Sequence, residues 1–172
     1  MNIFEAIKKG DAILRESGIK SYKIDSEILM SRVIKKNRVD IILNSKTELS
    51  QKDYNLYENL IIQRSKQKPV AYLTGKKEFW KYEFSVTKDV LIPRPDTEII
   101  VEKTLKLTKN KNKLKILEIG IGSGCILLSI LKERKSFYGT GIDISKKTIE
   151  ICKINYFNHT LSTLTFVNKY LV

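Results

Sequence analysis

Three glycines at alternate positions, Gly120, Gly122 and Gly124, follow an apolar stretch that carries the acidic residue Glu118. Glycine at this spacing lets a backbone turn sharply and come close to a ligand that any Cβ would obstruct. Ile121 and Ser123 complete the loop. The spacing is Gly-x-Gly-x-Gly, not the Gly-x-Gly-x-x-Gly of dinucleotide binders, where a pyrophosphate rests on a helix N-terminus. Glu118, two residues before the first glycine, would repel a phosphate and suits an ammonium group, held directly or through water. Asp143 lies nineteen positions beyond Gly124, where a carboxylate at a strand end can accept both hydroxyls of a ribose. A nucleoside ligand with positive charge, such as S-adenosylmethionine, fits these groups. The plainer reading is that the glycines only form a turn and Asp143 only caps the next helix. Two acids and three glycines in one register weigh against it.

Such a loop needs a strand before it and a helix after it. Alternating apolar stretches predict strands at 114–119, 137–142 and 164–167, with helices at 125–135 and 146–155 between them. This βαβαβ order makes a parallel sheet the economical topology. Upstream, Ile3, Ala6, Ile7, Ile13 and Leu14 recur at helical steps. Ile24, Ile28, Leu29 and Val33 mark a second helix, and 39–43 a short third. Ser50 with Asp53 forms an N-cap signal ahead of Tyr54, Tyr57, Leu60 and Ile61, and Pro69 is expected to stop that helix. Trp80, Tyr82, Phe84 and Val86 alternate with polar residues as in a half-buried strand of a hairpin. Pro93-Arg94-Pro95-Asp96 forms a rigid turn, Arg94 is expected to brace it, and a helix is predicted to about 107. The expected domains are a helical bundle at 1–67, a linker with a β-hairpin at 68–95, and the ligand-binding domain at 96–172.

With 32 Lys+Arg against 19 Asp+Glu, the formal charge is +13, a field that favours a polyanionic or ribosome-associated partner. The lysines are scattered along the chain, so direct nucleic-acid binding is not the expected use. Cys125 and Cys152 form neither a metal quartet nor a disulfide framework. No apolar run approaches the roughly 18 residues of a membrane span, and a cytoplasmic monomer is expected. His159, the sole histidine, is expected in a loop and not as a base.

Three segments carry a resemblance. Pro69-Val-Ala-Tyr-Leu-Thr-Gly75 with Glu78-Phe-Trp80, then Leu91-Ile-Pro-Arg-Pro-Asp-Thr-Glu98, then Glu118 to Cys125, together resemble the release-factor glutamine methyltransferases, the HemK/PrmC family. The resemblance implies an α/β chain: an N-terminal helical bundle that binds the release factor, a linking β-hairpin, then an incomplete class I methyltransferase (Rossmann-like) parallel sheet. It implies S-adenosyl-L-methionine as methyl donor and the glutamine of a Gly-Gly-Gln loop in peptide-chain release factors as acceptor. Carried over by position, Glu118 and the loop of Gly120, Ile121, Gly122, Ser123 and Gly124 hold the donor's methionine end, Asp143 its ribose and Tyr170 its adenine. Lys169 stands where relatives often have an acid. The family's Asn-Pro-Pro-Tyr motif, which positions the acceptor amide, is absent: the prolines are Pro69, Pro93 and Pro95. No catalytic residue is assigned, and impaired transfer by this chain is expected. The alternatives are a non-catalytic release-factor-binding fragment and a nucleic-acid methyltransferase; the signature at 91–98 stands against the second.

Overall fold

Asn2 starts the first helix by satisfying a terminal N–H that has no partner within the helix. In the computed structural model, which describes residues 1–160 and 163–169, its Oδ1 accepts from Glu5 N at 2.9 Å and Glu5 Oε2 accepts from Asn2 N at 3.1 Å. Two units follow, Met1–Thr74 and Gly75–Val172. The first holds α1 (Ile3–Glu16), α2 (Tyr22–Ile34), α3 (Arg38–Leu43), α4 (Gln51–Ser65) and α5 (Val70–Thr74). Ser50 caps α4 as its spacing predicts, its Oγ accepting from Asp53 N at 3.1 Å. Ala6 and Leu14 of α1, Leu29 and Met30 of α2, Ile41 of α3 and Tyr57 and Ile61 of α4 share one buried core. Arg64 pairs with the buried Asp25 at 2.8 Å, and Ser21 Oγ donates to the same carboxylate oxygen.

Pro69 does not end α4, which stops at Ser65. It opens α5 instead: its carbonyl accepts from Tyr72 N and Leu73 N, a position where the missing N–H is no loss. Val70 and Leu73 then pack on the bundle core. The stretch 68–95 therefore divides between the units, because Phe79 and Phe84 belong to the second core.

In the second unit β1 (Lys76–Phe79) and β2 (Tyr82–Ser85) form an antiparallel hairpin. The alternation that predicts a strand from Trp80 begins at Tyr82, because Trp80 occupies the turn at φ +58°. Its backbone N–H donates to Glu98 Oε1 at 2.8 Å. Glu98 opens α6 (Glu98–Leu107), after a 3₁₀ turn at Pro95–Thr97. Glu98 thus braces the hairpin turn, while Arg94, expected to brace the turn at 93–96, is exposed. Glu133 fastens the hairpin from the other side, accepting from Trp80 Nε1 at 3.2 Å and Tyr82 OH at 3.1 Å and pairing with Lys81.

The α/β portion runs β3 (Lys115–Ile119), α7 (Cys125–Glu133), β4 (Tyr138–Asp143), α8 (Lys146–Asn158), β5 (Leu164–Asn168). The sheet order is β3-β4-β5 and both pairings are parallel. Leu127, Leu128, Ile130 and Leu131 of α7 pack with Phe137, Ile149 and Cys152, and the hairpin's Phe79 and Phe84 join them. His159 is the C-cap of α8, its ring 4.8 Å from that of Phe84. Burial, with Lys132 beside it, lowers its pKa and keeps it neutral.

Phe84→Ala should cost the second unit ~3–5 kcal/mol, the usual range for a fully buried ring. Trp80, the sole tryptophan, reports that unit in a urea titration followed by fluorescence. A loss below ~1 kcal/mol would show that the hairpin is not part of the core.

Candidate functional site

Because β3 and β4 are parallel neighbours, the chain leaves both strands at the same edge of the sheet. Gly120, Gly122 and Gly124 take φ values of +73°, +57° and +82°, which L side chains rarely adopt. The N–H groups of Gly120, Ile121, Gly122 and Gly124 all have partners. Gly120 N and Ile121 N both donate to Ile142 O, at 2.8 and 3.0 Å, and Gly124 N donates to Ile121 O at 2.8 Å. Gly122 N donates to Asp143 Oδ2 at 3.2 Å, while Asp143 Oδ1 accepts from Ser145 N at 2.9 Å. The two regions linked by spacing are thus hydrogen-bonded to one another, and Asp143 orders the turn with lone pairs to spare for hydroxyl donors.

A Cβ built on Gly120 meets nothing within 4 Å, and one on Gly122 meets only Gly120 O at 3.9 Å. Their outer face is therefore open to a ligand. At Gly124 a Cβ would stand 2.6 Å from Cys152 Sγ and 2.8 Å from Leu128 Cδ1, so there glycine is required for packing. Ile121 and Ser123 turn inward and are buried. Ile121 fills the space left by Gly141, where a Cβ would lie 2.1 Å from its Cδ1. What these two residues offer a ligand is backbone.

Glu118 has a second task. Its Oε2 accepts from Leu127 N at 3.0 Å, in the first turn of α7, whose N-cap Gly124 has no side chain to give. Burial pushes its pKa up to about 7, and the Leu127 N–H only partly offsets this. A cleft of about 300 Å³ opens beside it, lined by Ile100, Thr104, Leu117, Ile126 and Ile130 among others; its lining stops at Ile119, short of the glycines. Burial also pushes the Cys125 thiol up to about 11, which disfavours the thiolate at neutral pH. Tyr170 lies outside the described residues.

One residue joins the site without having been singled out by spacing. Asn155 is wholly buried and its Nδ2 donates to Ser123 O at 2.8 Å. Its signal was an amide on the buried stripe of α8, next to Thr148, Ile149 and Cys152.

Residues 5–75 match the family model described as the PrmC N-terminal domain. Release factor glutamine methyltransferase of Buchnera aphidicola subsp. Schizaphis graminum is 41% identical over 166 residues, which is 96% of this chain and 59% of that protein. That of Clostridium acetobutylicum is 41% identical over 155 residues, 90% of this chain and 54% of that protein. The chain is similar to release factor glutamine methyltransferases along nearly its whole length. It spans between half and three fifths of the length of these relatives. Among solved structures, coclaurine N-methyltransferase bound to N-methylheliamine and SAH superposes with a TM-score of 0.41 at 14% identity, covering 98% of this chain and 48% of that one. That likeness is too loose to argue from.

The raised pKa of Glu118 has a definite consequence for stability. The folded state holds the proton more tightly than the unfolded chain, so this carboxyl favours folding at low pH. That contribution declines as pH rises from the ordinary carboxylate range to about 7. Urea titrations at pH 5 and pH 8 should show this decline in the native chain and not in Glu118→Gln, leaving the variant the more stable at pH 8. Equal pH dependence of the two would contradict the buried position of the carboxyl.

Proposed function

We propose that this chain carries the donor-binding part of an S-adenosylmethionine-dependent methyltransferase whose acceptor is the glutamine side-chain amide in the Gly-Gly-Gln loop of peptide-chain release factors. The observation that supports it best is the pairing of Glu118 and Asp143 with an open glycine turn at the ends of adjacent parallel strands. Two carboxylates repel a phosphate ligand and attract a cationic one. S-adenosylmethionine supplies a methyl group on a sulfonium, which is already electrophilic.

The chain's own residues would bind and orient. Gly120 and Gly122 would let the backbone approach the donor's methionine end, Glu118 would hold its ammonium and Asp143 would accept from the ribose hydroxyls; the adenine role that the resemblance gives to Tyr170 falls on a residue outside those described. The site, so held, fixes where the methyl must be met, which is the larger part of the task when the donor is reactive and the amide nitrogen is a weak nucleophile. Residues 1–67 are assigned to docking the release factor, in a chain whose formal charge as a whole is +13. For these 172 residues alone the reading is donor binding with impaired transfer, since the residues that would position the acceptor amide in the family's motif are not among them.

Calorimetry with S-adenosylhomocysteine tests the donor site. Binding should be tighter at pH 8 than at pH 6, because an ammonium needs the ionised form of Glu118 and that form is populated only above about 7. Glu118→Gln should lose about tenfold in affinity at pH 8, and Asp143→Ala about tenfold or more, in keeping with the loss of charge-assisted hydrogen bonds. Absence of binding in the native chain would overturn the donor reading. Labelled donor offered with release factor, RNA and DNA to a protein of the relatives' full length tests the acceptor. Label in the Gly-Gly-Gln glutamine is expected, and label in nucleic acid alone would replace the proposed acceptor.

A further inference from the structure

The carbonyl of Ser123 sits between two glycines of the turn and is held from outside the turn. Asn155 Nδ2 donates to it at 2.8 Å and also to Ser85 O at 3.0 Å, while Asn155 Oδ1 accepts from Ser85 N at 2.6 Å. Both amide hydrogens and the amide oxygen are thus in use, in a residue with no exposed surface. The two bonds to Ser85 imitate what a neighbouring strand would make, N–H to O and O to H–N at one residue. They cover the outer edge of β2, the edge not paired with β1. The third bond carries that fixed position to the glycine turn.

Other contacts support the same frame. Thr148 Oγ1, two turns earlier on α8, donates to Asp89 O at 2.9 Å, so α8 grips the chain after β2 as well. Glu98 and Glu133 hold the hairpin turn at Trp80. Asp143 fixes the turn at Gly122, and Asn155 fixes it one residue later. A peptide held on one side by a carboxylate and on the next by an amide keeps its positive-φ conformation without a ligand.

We propose that Asn155 is a positioning residue for the donor-binding turn, tying the Ser123 carbonyl to the hairpin strand β2 through a single amide. The relevance to donor binding rests on the reading in the preceding section; the tie itself does not. Asn155 touches no ligand, and acts by setting where the backbone of 122–124 lies before a ligand arrives.

Asn155→Asp keeps one of the three bonds. Its carboxylate still accepts from Ser85 N, but offers no donor to Ser123 O or Ser85 O and sets a negative charge against both. Asn155→Ser removes the same donors without that charge and is measured beside it. Thr148→Val removes a different α8 bond to the hairpin segment and serves as the control for general loosening. Amide hydrogen exchange is followed in the 172-residue chain at equal intervals below each variant's Tm. Exchange at Gly122 and Gly124 should quicken about tenfold in both Asn155 variants, with Ile130 and Leu131 in α7 unchanged, whereas Thr148→Val should leave Gly122 and Gly124 as in the native chain. Affinity for S-adenosylhomocysteine should fall about tenfold in the Asn155 variants and hold in Thr148→Val. Unchanged exchange at the glycines, or a rise shared by every amide of the unit, overturns the proposal. A native chain that binds no S-adenosylhomocysteine overturns the donor reading, while the exchange result still decides the role of Asn155.

Discussion

A backbone that turns through three glycines exposes polar groups that neither a strand nor a helix can satisfy, and every one left buried and unpaired would cost free energy. The second unit is organised around meeting that demand between Ile119 and Cys125. The carbonyl of Ile142 takes two N–H groups, the carboxylate of Asp143 takes a third, Glu118 reaches forward to Leu127 N, and Asn155 takes the carbonyl of Ser123. The partners come from three elements, β4, β3 and α8. The turn therefore exists only when the sheet and both helices are assembled, and its shape records their packing.

Two of the same partners are carboxylates. Glu118 and Asp143 are acceptors that the backbone needs, Asp143 at Gly122 N and Glu118 at Leu127 N. Two demands pull against each other at Glu118. Burial that lets it cap α7 also makes its ionised form costly, raising its pKa to about 7. A cationic group brought close to it would favour the ionised form again. One side chain thus links helix capping to the pH dependence of stability.

The hairpin explains why the stretch after the bundle is so rich in aromatic residues. A two-stranded sheet is marginal by itself, and this one is held by burying Phe79 and Phe84 in the α/β core and by the hydrogen bonds of Glu98, Glu133 and Asn155. Trp80 is at positive φ in the turn, a strained place for a large side chain, and the carboxylate of Glu98 on its N–H helps hold it there. The Leu91 to Glu98 segment runs through two prolines into the 3₁₀ turn at Pro95–Thr97 and delivers Glu98 to that N–H.

Local chemistry made much of this legible in the sequence. The helices at the start of the chain followed from apolar spacing and from Ser50, the βαβαβ order from alternating strands and helices, and the glycine turn with Glu118 and Asp143 from residue type and separation. All of these depend on interactions within a few residues or on a pattern that one element carries alone. What the tertiary structure decided depends on groups distant in sequence: the inward turn of Ile121 onto Gly141, the cap that Glu118 gives to α7, the bracing of the hairpin turn by Glu98, and the division of the linker between two cores. Asn155 shows the reason most plainly. Its three hydrogen bonds are to Ser85 and Ser123, 70 and 32 residues away, and two of the partner atoms are carbonyls, which every residue possesses and no side-chain pattern can announce.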